Sequence, residues 1–115
     1  MRLKLTKSHS DCSSELMKLR DRGADRETRF VARELAQNIV DYGGGGVMDV
    51  NSDGTITVKQ LNGRAVDVAA AIEKAIKDPN RANGLGLRQI IDRGYSIACE
   101  QLQKGIKIRI SRLVA

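Results

Sequence analysis

A helix that runs straight into four consecutive glycines limits what this chain can fold into more than any other stretch. Glu34 to Gly46 reads ELAQNIVDYGGGG. In helical geometry Glu34 and Asn38 lie one turn apart and project from one face. Val31, Leu35 and Ile39 repeat at the same spacing on the neighbouring face and can bury against a core. Gly43 to Gly46 then leave the backbone without side chains. A carboxylate and a carboxamide on the buried side of a helix are costly in a purely structural role. Beside bare backbone they suit a site that handles a metal-bound phosphate. The plain alternative is that Glu34 and Asn38 are solvated helix residues and the glycines a helix stop.

A second stretch shifts the balance. Asn83-Gly84-Leu85-Gly86-Leu87 follows a loop and opens an amphipathic run through Ile90 and Ile91. Glycines at a helix start let backbone N–H groups and the helix dipole approach an anion. The two stretches together can bracket one nucleotide.

Around them the chain falls into short elements. Arg2 to Thr6 alternates as a strand, and Ser13 to Arg22 is a short helix closed by Gly23. Asp25 is placed to cap the central helix, Arg26 to Tyr42. Val47 to Val50 and Thr55 to Lys59 form a hairpin turned by Asp53-Gly54. Val66 to Lys77 is helical by period and alanine content, and Asp78-Pro79 stops it. Gly84 to Asp92 is the last helix, followed by a hairpin of Tyr95 to Gln101 and Ile106 to Arg112. The order β-α-α-β-β-α-α-β-β implies an α+β fold, a two-layer sandwich of a mostly antiparallel sheet covered on one side by helices. The 115 residues form one domain, 1–115, large enough for a single core.

Composition excludes several classes. No apolar run reaches the roughly 20 residues of a membrane span, and the N-terminus is too short for a signal peptide. A cytoplasmic protein is expected. Cys12 and Cys99 form no CxxC pair, and His9 alone does not complete a zinc site. The net charge of +6 and pI near 9.7 permit an acidic partner or bound phosphate. Phe30, Tyr42 and Tyr95 are the only aromatics, too few to stack bases, so nucleic-acid binding is disfavoured.

With both stretches in place, the chain resembles the GHKL ATPase superfamily of gyrase, Hsp-type chaperones, histidine kinases and MutL. Glu34-Leu35-Ala36-Gln37-Asn38-Ile39 with Tyr42, Gly44 and Gly46 looks most like the bacterial anti-sigma factor and switch serine/threonine kinases. That resemblance implies ATP and Mg²⁺ as cofactors, with Asn38 holding the metal on the phosphates and Glu34 as base or water-positioner. It assigns Gly84-Leu85-Gly86-Leu87, with Asn83 before it, to the glycine box that cradles the phosphates. It implies phosphoryl transfer to a regulatory protein partner, a sigma factor or its antagonist, and leaves a homodimer open.

The first glycine box of the family is degenerate here. An Asp-x-Gly-x-Gly motif, whose Asp accepts from the adenine amino group, is expected after the first hairpin. The chain reads Gln60-Leu61-Asn62-Gly63-Arg64-Ala65. Asn62 offers a carboxamide beside Gly63, whereas Asp67 more simply suits the first turn of its helix. Losing one buried polar partner costs about 1–3 kcal/mol. The segment from Lys77 to Gly84 is also short for a nucleotide-closing lid. The alternative function is therefore a catalytically degenerate copy of the fold that acts only by binding a protein. A P-loop is absent, and Gln89 occupies the third glycine position of a dinucleotide fingerprint.

Overall fold

The computed structural model describes residues 1–6, 8–39, 44–62, 64–77 and 85–112. Strand β1 (Arg2–Leu5) leads to helices α1 (His9–Asp21) and α2 (Arg26–Asn38). The hairpin β2 (Gly46–Val50) and β3 (Ile56–Gln60) follows, then α3 (Ala65–Lys77) and α4 (Leu85–Asp92), and last β4 (Tyr95–Gln101) and β5 (Ile106–Arg112). The fold is α+β, with one open five-stranded sheet in the order β1-β2-β3-β5-β4 and every neighbouring pair antiparallel.

Period-2 alternation gives the sheet two unlike faces. Leu3, Met48, Val58, Ile108 and Cys99 stand in one cross-strand row. Val50, Ile56, Ile110 and Ile97 form the next row on the same side. These side chains join one core with Cys12 and Leu19 of α1, Val31 and Leu35 of α2, and Ile90 of α4. Truncating a fully buried member such as Met48 or Ile110 would cost about 2–5 kcal/mol. The opposite face carries the row Lys4, Val47, Lys59, Lys107 and Glu100, and the row Arg2, Asp49, Thr57, Arg109 and Ala98. Arg2 donates to the Asp49 carboxylate at 2.9 and 3.3 Å.

Local chemistry explains the element ends. α1 begins at His9 rather than Ser13, because the Ser8 hydroxyl accepts from the Asp11 amide and caps the helix there. Its Glu15 reaches the outer edge of β1 and accepts from the Lys4 amide at 2.9 Å, which occupies an N–H that an edge strand would otherwise leave open. The β2–β3 turn closes with the Asn51 amide on the Thr55 carbonyl at 2.9 Å.

Two of the four consecutive glycines serve this sheet rather than an open backbone surface. A Cβ on Gly46 would lie 2.1 Å from the Lys59 carbonyl oxygen, and one on Gly45 would lie 2.9 Å from that of Leu5. Both residues are buried where β1 and β3 close on the start of β2. The expectation that Gly43 to Gly46 form ligand-facing backbone is corrected for Gly45 and Gly46; Gly43 lies outside the described residues.

Candidate functional site

Helix α2 is fixed at its start and along one flank. Asp25 caps it, accepting from the Thr28 amide at 2.7 Å. Its hydrogen bonds to the Thr28 side chain and amide, with Arg112 and Arg29 nearby, hold its carboxyl below the ordinary range. Val31, Ala32, Leu35 and Ala36 are buried, so the helix cannot rotate without exposing them. That rigidity sets the direction of Glu34 and Asn38, one turn apart and both half-buried at the border of the apolar stripe. The Glu34 side chain keeps 25% of its exposure, and among the described residues it pairs with Arg33 at 4.0 Å. Its carboxylate is therefore weakly engaged and available. The Asn38 carboxamide has no hydrogen-bond partner among the described residues.

The helix ends at Asn38, with Ile39 as its C-cap. From that cap a hydrogen-bonded bridge runs to the end of β3. The Gly45 amide donates to the Ile39 carbonyl at 3.4 Å, and the Leu61 amide donates to the Gly45 carbonyl at 3.1 Å. The end of the carboxamide helix and the segment after β3 are thus held together through one glycine.

At that strand end the sequence reading overlooked a residue. Gln60, not Asn62, carries the buried carboxamide: it is 7% exposed, the one buried polar side chain among the described residues. It stands in the row of Gly46 and Ile106, on the core side. Its Nε2 donates to the Asn62 carbonyl over a long 3.5 Å, and its carboxamide oxygen accepts no hydrogen bond among the described residues. The Asn62 side chain is exposed. The signal was present in Ile56-Thr57-Val58-Lys59-Gln60, where strict alternation puts a polar residue at an inward position.

The second glycine stretch is described only in part. Gly63, Asn83 and Gly84 lie outside the described residues. Leu85, Gly86 and Leu87 form the first turn of α4. Helix α4 packs on α2, and Arg93 just past its end lies 4.0 Å from the centre of the Phe30 ring. The stack joins the N-terminal half of α2 to the C-terminal end of α4.

No group of three metal-ligating side chains occurs among the described residues. A Mg²⁺ ion does not require one, since it binds through one or two protein oxygens with phosphates and water completing its shell. Asn38, with Glu34 one turn away, fits that donor set. No helix is long and apolar enough to cross a membrane among the described residues. Two grooves among the described residues lie elsewhere, one beside the α1–α2 turn and one between α1 and α2. No family model and no curated protein matches the chain.

Proposed function

We propose that this is a small nucleotide-binding regulatory protein of the GHKL type, using ATP and Mg²⁺ and nearest in kind to the anti-sigma and switch serine/threonine kinases. The observation that carries the reading is the bridge Ile39–Gly45–Leu61, which ties the helix end bearing Asn38 to the strand end bearing the buried Gln60. Metal-side and base-side groups of one nucleotide need such proximity. An antiparallel crossing of α2 and α4, consistent with the Phe30–Arg93 stack, would turn the glycine-rich start of α4 toward Asn38.

Each residue has a definite task in this reading. The Asn38 carboxamide oxygen holds the metal, and the weakly engaged Glu34 carboxylate orients a hydroxyl nucleophile. The first-turn amides of α4, with Gly84 before them, offset phosphate charge. Gln60 faces the base with a carboxamide in place of a carboxylate. ATP–Mg²⁺ supplies the transferable phosphoryl group, and a Ser or Thr hydroxyl of a regulatory protein in the cytoplasm receives it.

The neutral group at Gln60 also favours a second reading, a degenerate copy that binds a partner without turning over nucleotide. Calorimetric titration of ATP with and without Mg²⁺ separates the two. Mg²⁺-dependent binding that Asn38→Ala abolishes supports the nucleotide reading. Absence of binding in the parent protein would leave the partner-only reading.

A further inference from the structure

Helices α1 and α2 present matching stripes to a shared groove. From α1 come Ser13, Leu16, Met17 and Arg20; from α2 come Arg26, Arg29, Phe30 and Arg33. Each set falls at i, i+3, i+4 and i+7, so each stripe follows its helix for two turns, roughly 10 Å. The groove encloses about 500 Å³. Leu16 and Phe30 form an apolar floor that packs on the core, and Met17 is exposed over 58% of its surface.

The charge of this groove is of one sign. Four arginines line it and no carboxylate does. Arg20 and Arg26 make no ion pair among the described residues, and Arg33 reaches Glu34 only at 4.0 Å. Arg29 keeps its buried Nε without an acceptor among the described residues. Of the acidic residues nearby, Glu15 pairs with Lys18 and Glu27 with Arg112, while Asp25 caps α2 with Arg29 close to it. Guanidinium groups are suited to bidentate binding of carboxylates.

We infer that the α1–α2 groove docks an acidic amphipathic helix of a protein partner, whose carboxylates meet Arg20, Arg26, Arg29 and Arg33 while an apolar side chain seats on Leu16, Met17 and Phe30. Paired stripes over two turns match the way a third helix lies in a groove, with anchors at i, i+3, i+4 and i+7. An exposed methionine adapts to the shape of an apolar anchor. A second copy of this chain would set arginines against arginines. Nucleic acid would supply phosphates, but Phe30 is the one aromatic ring lining the groove, too few to stack a run of bases. The inference shares with the proposed function only the premise of a protein partner, and it does not depend on nucleotide binding.

The test uses the full chain and a synthetic 15-residue helical peptide with Glu and Leu at i, i+3, i+4 and i+7 spacing, beside a copy with Gln for every Glu. Amide shift mapping with the Glu peptide should perturb α1 and α2 residues along the groove. The Gln copy should bind at least tenfold more weakly. Arg20→Glu combined with Arg26→Glu should weaken the Glu peptide at least tenfold and leave the ATP–Mg²⁺ titration unchanged; Arg26→Gln provides a milder variant that keeps the helix start intact. Equal binding of the two peptides, shifts centred on Lys59 and Lys107, or unaltered affinity in both variants would overturn the inference. So would a dimer whose interface is this groove. A failed ATP titration would not touch it.

Discussion

Arg93 lays its guanidinium over the Phe30 ring, the guanidinium carbon 4.0 Å from the ring centre. Arg33 approaches the same ring at 5.9 Å. One half-buried aromatic thus joins α2 to the segment after α4, and α4 carries the glycine-rich start that the nucleotide reading requires. A cation over an aromatic face contributes about 0.5–1 kcal/mol at a partly exposed site. A double-mutant cycle of Phe30→Leu and Arg93→Ala, read by urea denaturation, should give a coupling of about that size. Additive single effects would mean that the stack does not tie the helices.

The glycines divide into two kinds, and substitution should show it. Gly46→Ala would place a methyl group 2.1 Å from the Lys59 carbonyl, at the start of β2 where β1 and β3 pair on either side of it. It should cost at least about 3 kcal/mol or prevent folding. Gly54, at φ +87° with open space around it, should lose only about 1–2 kcal/mol on change to Ala. Comparable denaturation midpoints for the two variants would contradict the packing role of Gly46.

Four carboxylates titrate below their ordinary range, Asp53 among them through its hydrogen bond from the Thr55 amide. Hydrogen bonding to the Thr28 side chain and amide lowers Asp25, the hydrogen bond from Arg2 lowers Asp49, and that from Lys18, then the Lys4 amide, lowers Glu15. A carboxyl lowered in the folded state adds stability that is fully present above its unfolded value and is lost as pH falls through the folded one. Thermal stability should therefore be level from about pH 7 to about pH 5 and drop below about pH 4. Asp25→Ala should cost about 1 kcal/mol at neutral pH through loss of the helix cap, and that deficit should shrink in acid. A deficit unchanged down to about pH 2.5 would show that the charge on Asp25 has no part in it.

Much of the fold was legible because its sheet obeys simple alternation. Ile106, Ile108 and Ile110 announce an inward face, Asp53-Gly54 announces a turn, and β4 and β5 begin and end where the pattern does. The start of α1 was harder to read, since His9, Ser10, Asp11 and Ser14 are weak helix formers that Ser8 nevertheless caps into a helix. Gly45 and Gly46 misled because bare backbone looks alike in sequence whether it faces a phosphate or the chain's own carbonyl. Only the strand register distinguishes them. The placement of Glu34 and Asn38 one turn apart on α2 was legible from spacing alone, and alternation along β3 turned Gln60 inward, whereas its neighbours Gly46 and Ile106 follow only from the strand register.

The last prediction concerns which residue faces the base. A buried carboxamide can accept from the adenine amino group and, turned over, donate to the guanine carbonyl, so Gln60 should distinguish ATP from GTP poorly. A carboxylate accepts only. Gln60→Asp should therefore shift the preference toward ATP by roughly tenfold, the contribution of one charge-assisted hydrogen bond. Without nucleotide that carboxylate lies at a site only 7% exposed, so the same variant should melt lower and recover when ATP binds. Gln60→Leu removes a group whose one hydrogen bond spans 3.5 Å, so the free protein should change by less than about 1 kcal/mol while the affinities for ATP and GTP fall together. Asn62→Asp is the control, because the Asn62 side chain is exposed and should gain little. Competition binding of ATP and GTP to the parent and the three variants decides the matter. A tenfold gain in Asn62→Asp and none in Gln60→Asp would move base recognition from the buried strand end to the loop beyond it.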